Sequence, residues 1–220
     1  MSEVGLYEAM STLRAVRRLR PDPIPDTVLH RVLEAATWAP TGANTQPWRV
    51  VLVKDPELKA QLGELYLRGW NRYSEGHKEG LEEIPEHVRE QQLRILAAGD
   101  HLAAHFGDTP VIAVFCFNPE RMAITDLKLD RVSVVGGGSV YPAVENLLLA
   151  CRAEGLGCVL TTLLCGYEPR VKEILGIPEG WGTACAIPIG YPVGGGHGSI
   201  RRRSVEKLTF LDRWDNPYGE

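Results

Sequence analysis

Apolar positions fall at helical spacing along residues 3–19, where Leu6, Met10, Leu13 and Val16 form one stripe beside several arginines, and this predicts an N-terminal helix. The turn Pro21–Asp26 follows, and Asp26 can cap a second helix over 27–38 whose apolar face includes Val28, Val32, Leu33 and Ala36. Pro40 and Gly42 stop that helix. The solid run Val50–Val53 predicts a strand over 48–54, and Asp55-Pro56 starts a helix reaching to about Trp70. Residues 71–92 break the pattern, with six Glu against two Arg and one Lys, and with Gly76, Gly80 and Pro85 among few apolar residues. They read either as a lid or as a solvated excursion without a role.

A helix over about 86–106 leads into a strand at Pro110–Phe117. The apolar, strand-like run Val132–Val135 precedes the turn Gly136-Gly137-Gly138-Ser139, an amphipathic helix, Gly155 as its C-cap, and a strand ending at Thr161-Thr162. A short helix near 169–175 and a strand over 183–190 complete the regular structure. The tail, 191–220, opens on the glycine-rich stretch Gly194–Gly198 and then carries Arg201-Arg202-Arg203. It has too few apolar residues to form a subdomain and should lie along a surface, that of a partner subunit. Helices interspersed with a few strands predict one α+β or mixed α/β domain over residues 1–220.

Bulk composition narrows the partners. A formal net charge of −4 gives no support for nucleic acid or an anionic membrane surface. The N-terminus lacks the basic start and apolar stretch of a signal peptide, and no apolar run nears the roughly 20 residues that span a bilayer. A soluble, cytoplasmic protein is expected. Cys116, Cys151, Cys158, Cys165 and Cys185 lie in or near apolar segments with no CxxC pair, which suggests reduced, buried thiols.

The most informative segment is Ala39–Arg49, APTGANTQPWR. It sets small hydroxyl and amide groups between a helix and a buried strand, a composition suited to the edges of a polar, planar ligand. The glycine turn at 136–138 invites an anion or a close backbone approach. The dinucleotide pattern G-x-G-x-x-G fails at Tyr141, and no acid follows the next strand to hold a ribose. His101 and His105 have metal-pair spacing but lack the intervening Glu of the zinc-protease motif and a third ligand, so a packed pair is expected. Ser139 and Ser199 follow glycines, but neither lies in G-x-S-x-G. Two arginine clusters remain: Arg14, Arg17, Arg18 and Arg20 near one end, and Arg201–Arg203 near the other. They are able to converge on one phosphate, whose oxygens match guanidinium forks.

The order RAVRRLRPDPIP, LEAATWAPTGANTQPW, GGGSVYPAVENLLLACRAEGLG, and GYP followed by RRR resembles the nitroreductase family of FMN enzymes over roughly residues 11–215. The resemblance implies an α+β fold with a central, mostly antiparallel sheet flanked by helices. It also implies an obligate homodimer with FMN at the interface and the tail exchanged between subunits. Carried onto this chain, it gives Arg14 and Arg17 as basic cofactor contacts, with Arg17 near flavin N1 and O2. Ala15 and Leu13 stand where the family commonly has Ser and Arg, which shifts phosphate binding toward Arg14 and the tail. Pro40, Thr41, Gly42, Asn44 and Gln46 match the loop laid on the flavin by the second subunit. Gly137, Gly138 and Ser139 match the segment whose backbone N–H points at N5, Thr162 edges the pocket, and Arg202 or Arg203 matches the late phosphate contact.

In such an enzyme the flavin carries the chemistry, and no protein nucleophile is needed. A fixed cation at Arg17 stabilises negative charge left near N1 and C2=O, and a donor at N5, assigned to Gly138, tunes the reduced state. NADH or NADPH is the implied reductant, with a nitroaromatic or quinone as acceptor in a ping-pong cycle. Two alternatives stay open: a flavin-sequestering protein without turnover, and a specialised branch such as reductive dehalogenation. Trp38, Trp48, Tyr66, Trp70 and Tyr73 are possible wall residues, although helical spacing at 66, 70 and 73 also suits core packing. Tyr73, Glu75 and Lys78 are a possible set for a zwitterionic substrate.

Overall fold

Strands β1 (Trp48–Val53), β2 (Val111–Phe117), β3 (Gly157–Cys158) and β4 (Gly182–Gly190) form a sheet in the order β1-β2-β4-β3, and every neighbouring pair is antiparallel. This is a computed structural model, and it describes residues 4–78, 81 and 84–219. Val51 pairs with Val114, and Val114 with Ala186, so the two central strands are apolar on both faces. Both faces are covered, which is why the strands read as solid apolar runs instead of alternating. Val111, Ala113, Phe115, Cys185, Ile187 and Ile189 meet helices α2 (Asp26–Thr37) and α5 (Tyr141–Ala153) on one side. On the other, Ile112, Val114, Cys116 and Ala186 meet α3 (Pro56–Lys78) and α4 (Glu86–His105). The fold is α+β, as predicted.

The N-terminal helix is shorter than its pattern implies. α1 spans only Leu6–Thr12, and Leu13–Arg20 runs extended. The Val16 N–H donates to the Cys158 carbonyl at 2.9 Å, the Arg20 N–H to Tyr191 at 2.8 Å, and the Val193 N–H to Arg18 at 2.9 Å. Pairing with the β3 strand and the start of the tail replaces the helix. Gly157 makes the approach possible, because a Cβ there would stand 2.7 Å from Val16 Cγ1. Val16 is therefore buried while Leu6 and Met10, on the same expected stripe, are 61% and 47% exposed.

Much of the expected excursion at 71–92 is helical. α3 continues to Lys78, where Tyr73 stacks on His77 one turn later (ring centroids 4.0 Å apart) and Ser74 is buried. α4 begins at Glu86 after Pro85, and residues 79, 80, 82 and 83 lie outside the described set. The run at Val132–Val135 is not a strand. Val132 and Val134 are exposed, and the segment is pinned at its polar residues: Ser133 Oγ donates to Asp126 at 2.6 Å and Arg131 lies 2.7 Å from the same carboxylate. The strand expected through Thr162 ends at Cys158, and Thr161 rejoins the sheet as a single bridge to Ala186. α6 (Glu168–Leu175) then leads into β4. All five cysteines are free thiols, four of them buried and Cys165 partly so.

Candidate functional site

Arg17 lies in the extended segment that Val16 fixes against β3, and its half-buried side chain borders three cavities. The first, about 460 Å³, is a cleft lined by Arg14, Ala15, Arg17, Arg202, Glu145 and Leu160. The second, about 210 Å³, holds Arg17 against Tyr66, Trp70, Tyr73, Thr161 and Thr162. The third, about 520 Å³, lies toward His101, His105, Asp108 and Thr109. Among the described residues no carboxylate lies within 4.0 Å of Arg14, Arg17, Arg202 or Arg203. A half-buried cation without a partner is unfavourable by itself and favours an anionic or electron-rich ligand.

The tail reaches the first cleft through Arg202, which the chain's two ends therefore bring beside Arg14, 188 positions away in sequence. Arg14 Nε donates to the Gly196 carbonyl at 2.7 Å, so the glycine turn orients that guanidinium. Arg203 is exposed and does not line the cleft.

The small second cavity has aromatic walls. Tyr66 stacks on Phe106 with centroids 4.1 Å apart. Burial pushes the Tyr66 phenol up, against a hydrogen bond with Thr161 and the field of Arg17, so it stays protonated at neutral pH. Trp70 Nε1 donates to Asp100 at 2.7 Å, which fixes the indole, while Tyr73 remains 47% exposed. These three side chains thus serve both as core and as wall. Trp38 is 72% exposed, and Trp48 packs on Phe115 (centroids 5.8 Å apart), so neither borders Arg17.

The Ala39–Arg49 loop is built as a polar, self-bonded projection. Thr41 Oγ1 accepts from the Gln46 N–H at 3.0 Å, Thr45 Oγ1 donates to the Gly42 carbonyl at 3.0 Å, and Gln46 Nε2 donates to Asn44 Oδ1 at 3.1 Å. Ala43, Asn44 and Gln46 all have positive φ (49°, 52° and 45°). Each such residue costs on the order of 1–2 kcal/mol, a concentration of strain typical of functional loops. Ser139 Oγ accepts from the Gly42 N–H at 3.1 Å and ties the loop to the glycine turn. Pro40, Thr41, Gly42, Asn44 and Gln46 do not line the arginine cleft of their own chain.

The glycine turn also stands apart from Arg17. Gly137 borders a fourth cavity, about 430 Å³, with Phe117, Tyr141 and Thr162, whereas Gly138 and Ser139 border none of these cavities. Gly138 is open, since an added Cβ would meet nothing within 4 Å. The backbone beside Arg17 is instead Val159–Leu163, between β3 and the short helix Leu163–Tyr167. Glycine content marks 136–138 in the sequence. Residues 159–163 carry no such signal, and of them only Thr162 is expected at the pocket, by resemblance.

Arg18 Nη1 lies 3.2 Å from His101 Nδ1, and burial, Arg18 and His105 together hold His101 below its usual range. His105 Nδ1 pairs with Asp108 at 2.9 Å, so the histidine pair is a packed one, with ring centroids 4.6 Å apart. Among the described residues no group of three His, Cys, Asp or Glu is placed to hold a metal. No described helix is long and apolar enough to cross a membrane.

Comparison with known proteins adds a family. The model described as "Nitroreductase family" matches residues 12–191. A Thermus thermophilus protein named NADH dehydrogenase is 32% identical over 198 residues, covering 86% of this chain and 87% of its own. Iodotyrosine deiodinase 1 of Rattus norvegicus is 29% identical over 215 residues, covering 94% and 70% respectively. A solved structure of oxidised iodotyrosine deiodinase bound to FMN and 3-iodo-L-tyrosine superposes with a TM-score of 0.69 at 23% identity, over 96% of this chain and all of that one.

Proposed function

The chain belongs to the nitroreductase family; from that premise we propose that it is an FMN-dependent oxidoreductase, taking hydride from NADH or NADPH and passing it to an electron-poor acceptor, a nitroaromatic or a quinone, in a ping-pong cycle. The observation that carries this reading is Arg17, a half-buried cation without a described acidic partner, shared by a phosphate-sized basic cleft and an aromatic-walled cavity. The residues present fit FMN: Arg14 and Arg202 suit a phosphate, and Tyr66, Trp70 and Thr162 suit one flank of a flat ring. Bound FMN supplies the hydride acceptor and donor.

The protein's part is binding and electrostatics. Arg14 and Arg202 would hold the phosphate, with Arg203 the less favoured candidate because it does not line the cleft. Ala15 contributes shape only. Arg17 stabilises negative charge at the ring's N1 and O2 edge. In place of Gly137, Gly138 and Ser139, which do not border the cavities beside Arg17, the segment around Thr162 would supply a donor to bound flavin. Pro40, Thr41, Gly42, Asn44 and Gln46 act on the flavin of a second copy, since they do not line the cleft of their own chain.

A homodimer follows from that division of labour. It also suits the apolar side chains left exposed on α1 (Leu6, Tyr7, Met10) and on the tail (Leu208, Leu211, Trp214). In this reading the tail beyond Arg203 is the segment exchanged between subunits, since Gly196 and Gly198 bond to Arg14 and Thr12 of their own chain, and residues 71–92, of which 79, 80, 82 and 83 lie outside the described set, are the lid. Reduced, buried cysteines suit a cytoplasmic setting. The likeness to iodotyrosine deiodinase favours one alternative acceptor class, halogenated phenols, for reductive dehalogenation.

Purified protein should be yellow and release about one FMN per chain on denaturation. A colourless preparation that neither releases nor takes up FMN contradicts the reading.

A further inference from the structure

His197 sits within the Gly194–Gly198 turn and is tied to the body of the protein. Its Nε2 lies 2.8 Å from the Leu156 carbonyl, which can only accept, so the ring carries its proton on Nε2. Its Nδ1 is buried and has no hydrogen-bond partner. The residues on either side of it complete the turn's attachment. The Gly196 carbonyl accepts from Arg14 Nε at 2.7 Å, and the Gly198 N–H donates to the Thr12 carbonyl at 3.1 Å. Gly196 has a φ of 61°, and a Cβ there would fall 2.5 Å from Pro192 Cβ, so the turn tolerates no side chain at that point.

The charged groups facing the imidazole are Arg14 and, from α5, Arg152. Arg152 is itself held by α1, with Nε donating to Thr12 Oγ1 at 2.9 Å and Nη2 lying 3.4 Å from Glu8. A second proton on the ring would create a buried N–H with no acceptor, facing two guanidinium groups. Burial first, then Arg152 and Arg14, accordingly hold His197 below the ordinary histidine value, against the opposing effect of the Leu156 bond.

We propose that His197 is a positioning residue for the cofactor's phosphate: as a neutral imidazole it docks the Gly194–Gly198 turn and thereby aims Arg14, and protonation undocks the turn and loosens FMN. The proposal rests on the reading of Arg14 as a phosphate contact. The sign follows from linkage. The undocked turn binds a proton more tightly than the docked one, so docking is complete above about pH 6.5 and is lost progressively as the pH falls below it.

The test is titration of flavin-depleted, full-length protein with FMN and with riboflavin, which lacks the phosphate, between pH 8 and pH 5. His197→Phe keeps the bulk and removes the donor. At pH 8 it should weaken FMN by about tenfold, the scale of one buried hydrogen bond, and leave riboflavin unchanged. His197→Gln restores a donor and should bind FMN within about threefold of wild type at pH 8. It should also lose less affinity than wild type on acidification. The titration of the phosphate itself near pH 6 is common to both proteins and cancels in that comparison.

Equal losses of FMN and riboflavin in His197→Phe, or superimposable pH profiles of wild type and His197→Gln, overturn the proposal. If His197→Phe does not fold, the pH comparison with His197→Gln decides alone. Arg14→Ala separates the underlying reading. If it weakens FMN and riboflavin equally, the phosphate assignment is wrong. If it weakens FMN selectively while the His197 variants do not, only the role of His197 is wrong.

Discussion

Gly99→Ala is a one-carbon change with a calculable consequence at the site. A Cβ at position 99 would lie 2.0 Å from Trp70 Cη2 and 2.2 Å from Cζ2. The indole is 7% exposed and is held by its bond to Asp100 at 2.7 Å, so it has no room to slide. It must rotate out of its slot. Overpacking of this kind costs about 1–3 kcal/mol, and loss of a hydrogen bond to a carboxylate about 1.5–3 kcal/mol. A destabilisation of roughly 3 kcal/mol lowers Tm by about 6–12 °C in a chain of this size. Trp70 also walls the cavity beside Arg17, so the acceptor KM should change in the same variant. Trp70→Phe should partly rescue Gly99→Ala, because the smaller ring vacates the atoms that clash. A thermal-denaturation double-mutant cycle measures that coupling. Additive effects of the two substitutions, or a Gly99→Ala protein as stable as wild type, would refute the packing argument.

Three further outcomes are expected. Arg17→Ala should slow reduction of the bound flavin by about 10²-fold in anaerobic stopped-flow and lower its potential, with Arg17→Lys intermediate. Mixing an Arg14→Ala/Arg17→Ala chain with a Thr41→Ala/Asn44→Ala chain should restore activity, because one of the two sites in the mixed dimer is then intact; no gain on mixing would place both residue sets at the same chain's site. The bond from Arg31 to Glu154 (2.7 Å) holds the Glu154 carboxyl below its usual range, so its stabilising effect is present above the ordinary carboxylate value and lost as the pH falls through the lowered one. The Tm gap between wild type and Arg31→Ala should therefore close on acidification and shrink in high salt.

Legibility from the sequence followed the kind of signal involved. The buried strands were readable because two-sided burial leaves solid apolar runs such as Val111–Phe117, and α2 and α5 because their apolar faces repeat at helical spacing. α1 misled, since Leu6, Met10, Leu13 and Val16 share a helical period, yet Val16 is held by backbone pairing with Cys158, a contact 142 positions away. Local periodicity carries no information about such a partner. α3 outran its expected end because stacking of Tyr73 on His77 and burial of Ser74 compensate for its weak composition.

Within the candidate site, the side chains that carry charge or strain left a mark on the sequence. Arg14, Arg17 and Arg202 do converge, and Asn44 and Gln46 do lie on a strained polar loop. Of the segment beside Arg17, Val159–Leu163, only Thr162 is marked in the sequence, and that by resemblance, because the other residues carry no charge or strain signal. His197 is silent in the sequence because one histidine among glycines gains its meaning only from the carbonyl of Leu156 and the guanidinium of Arg14.

The central claim is that this chain turns over flavin with a nicotinamide reductant. Mixing the FMN-loaded protein anaerobically with NADH or NADPH, then with a nitroaromatic or a quinone, tests it in one cuvette. The account predicts that at least one nicotinamide bleaches the flavin and that the acceptor restores its colour, one reductant consumed per flavin. A flavin that dithionite bleaches but neither nicotinamide reduces would contradict the account and mark the protein as a flavin binder without turnover.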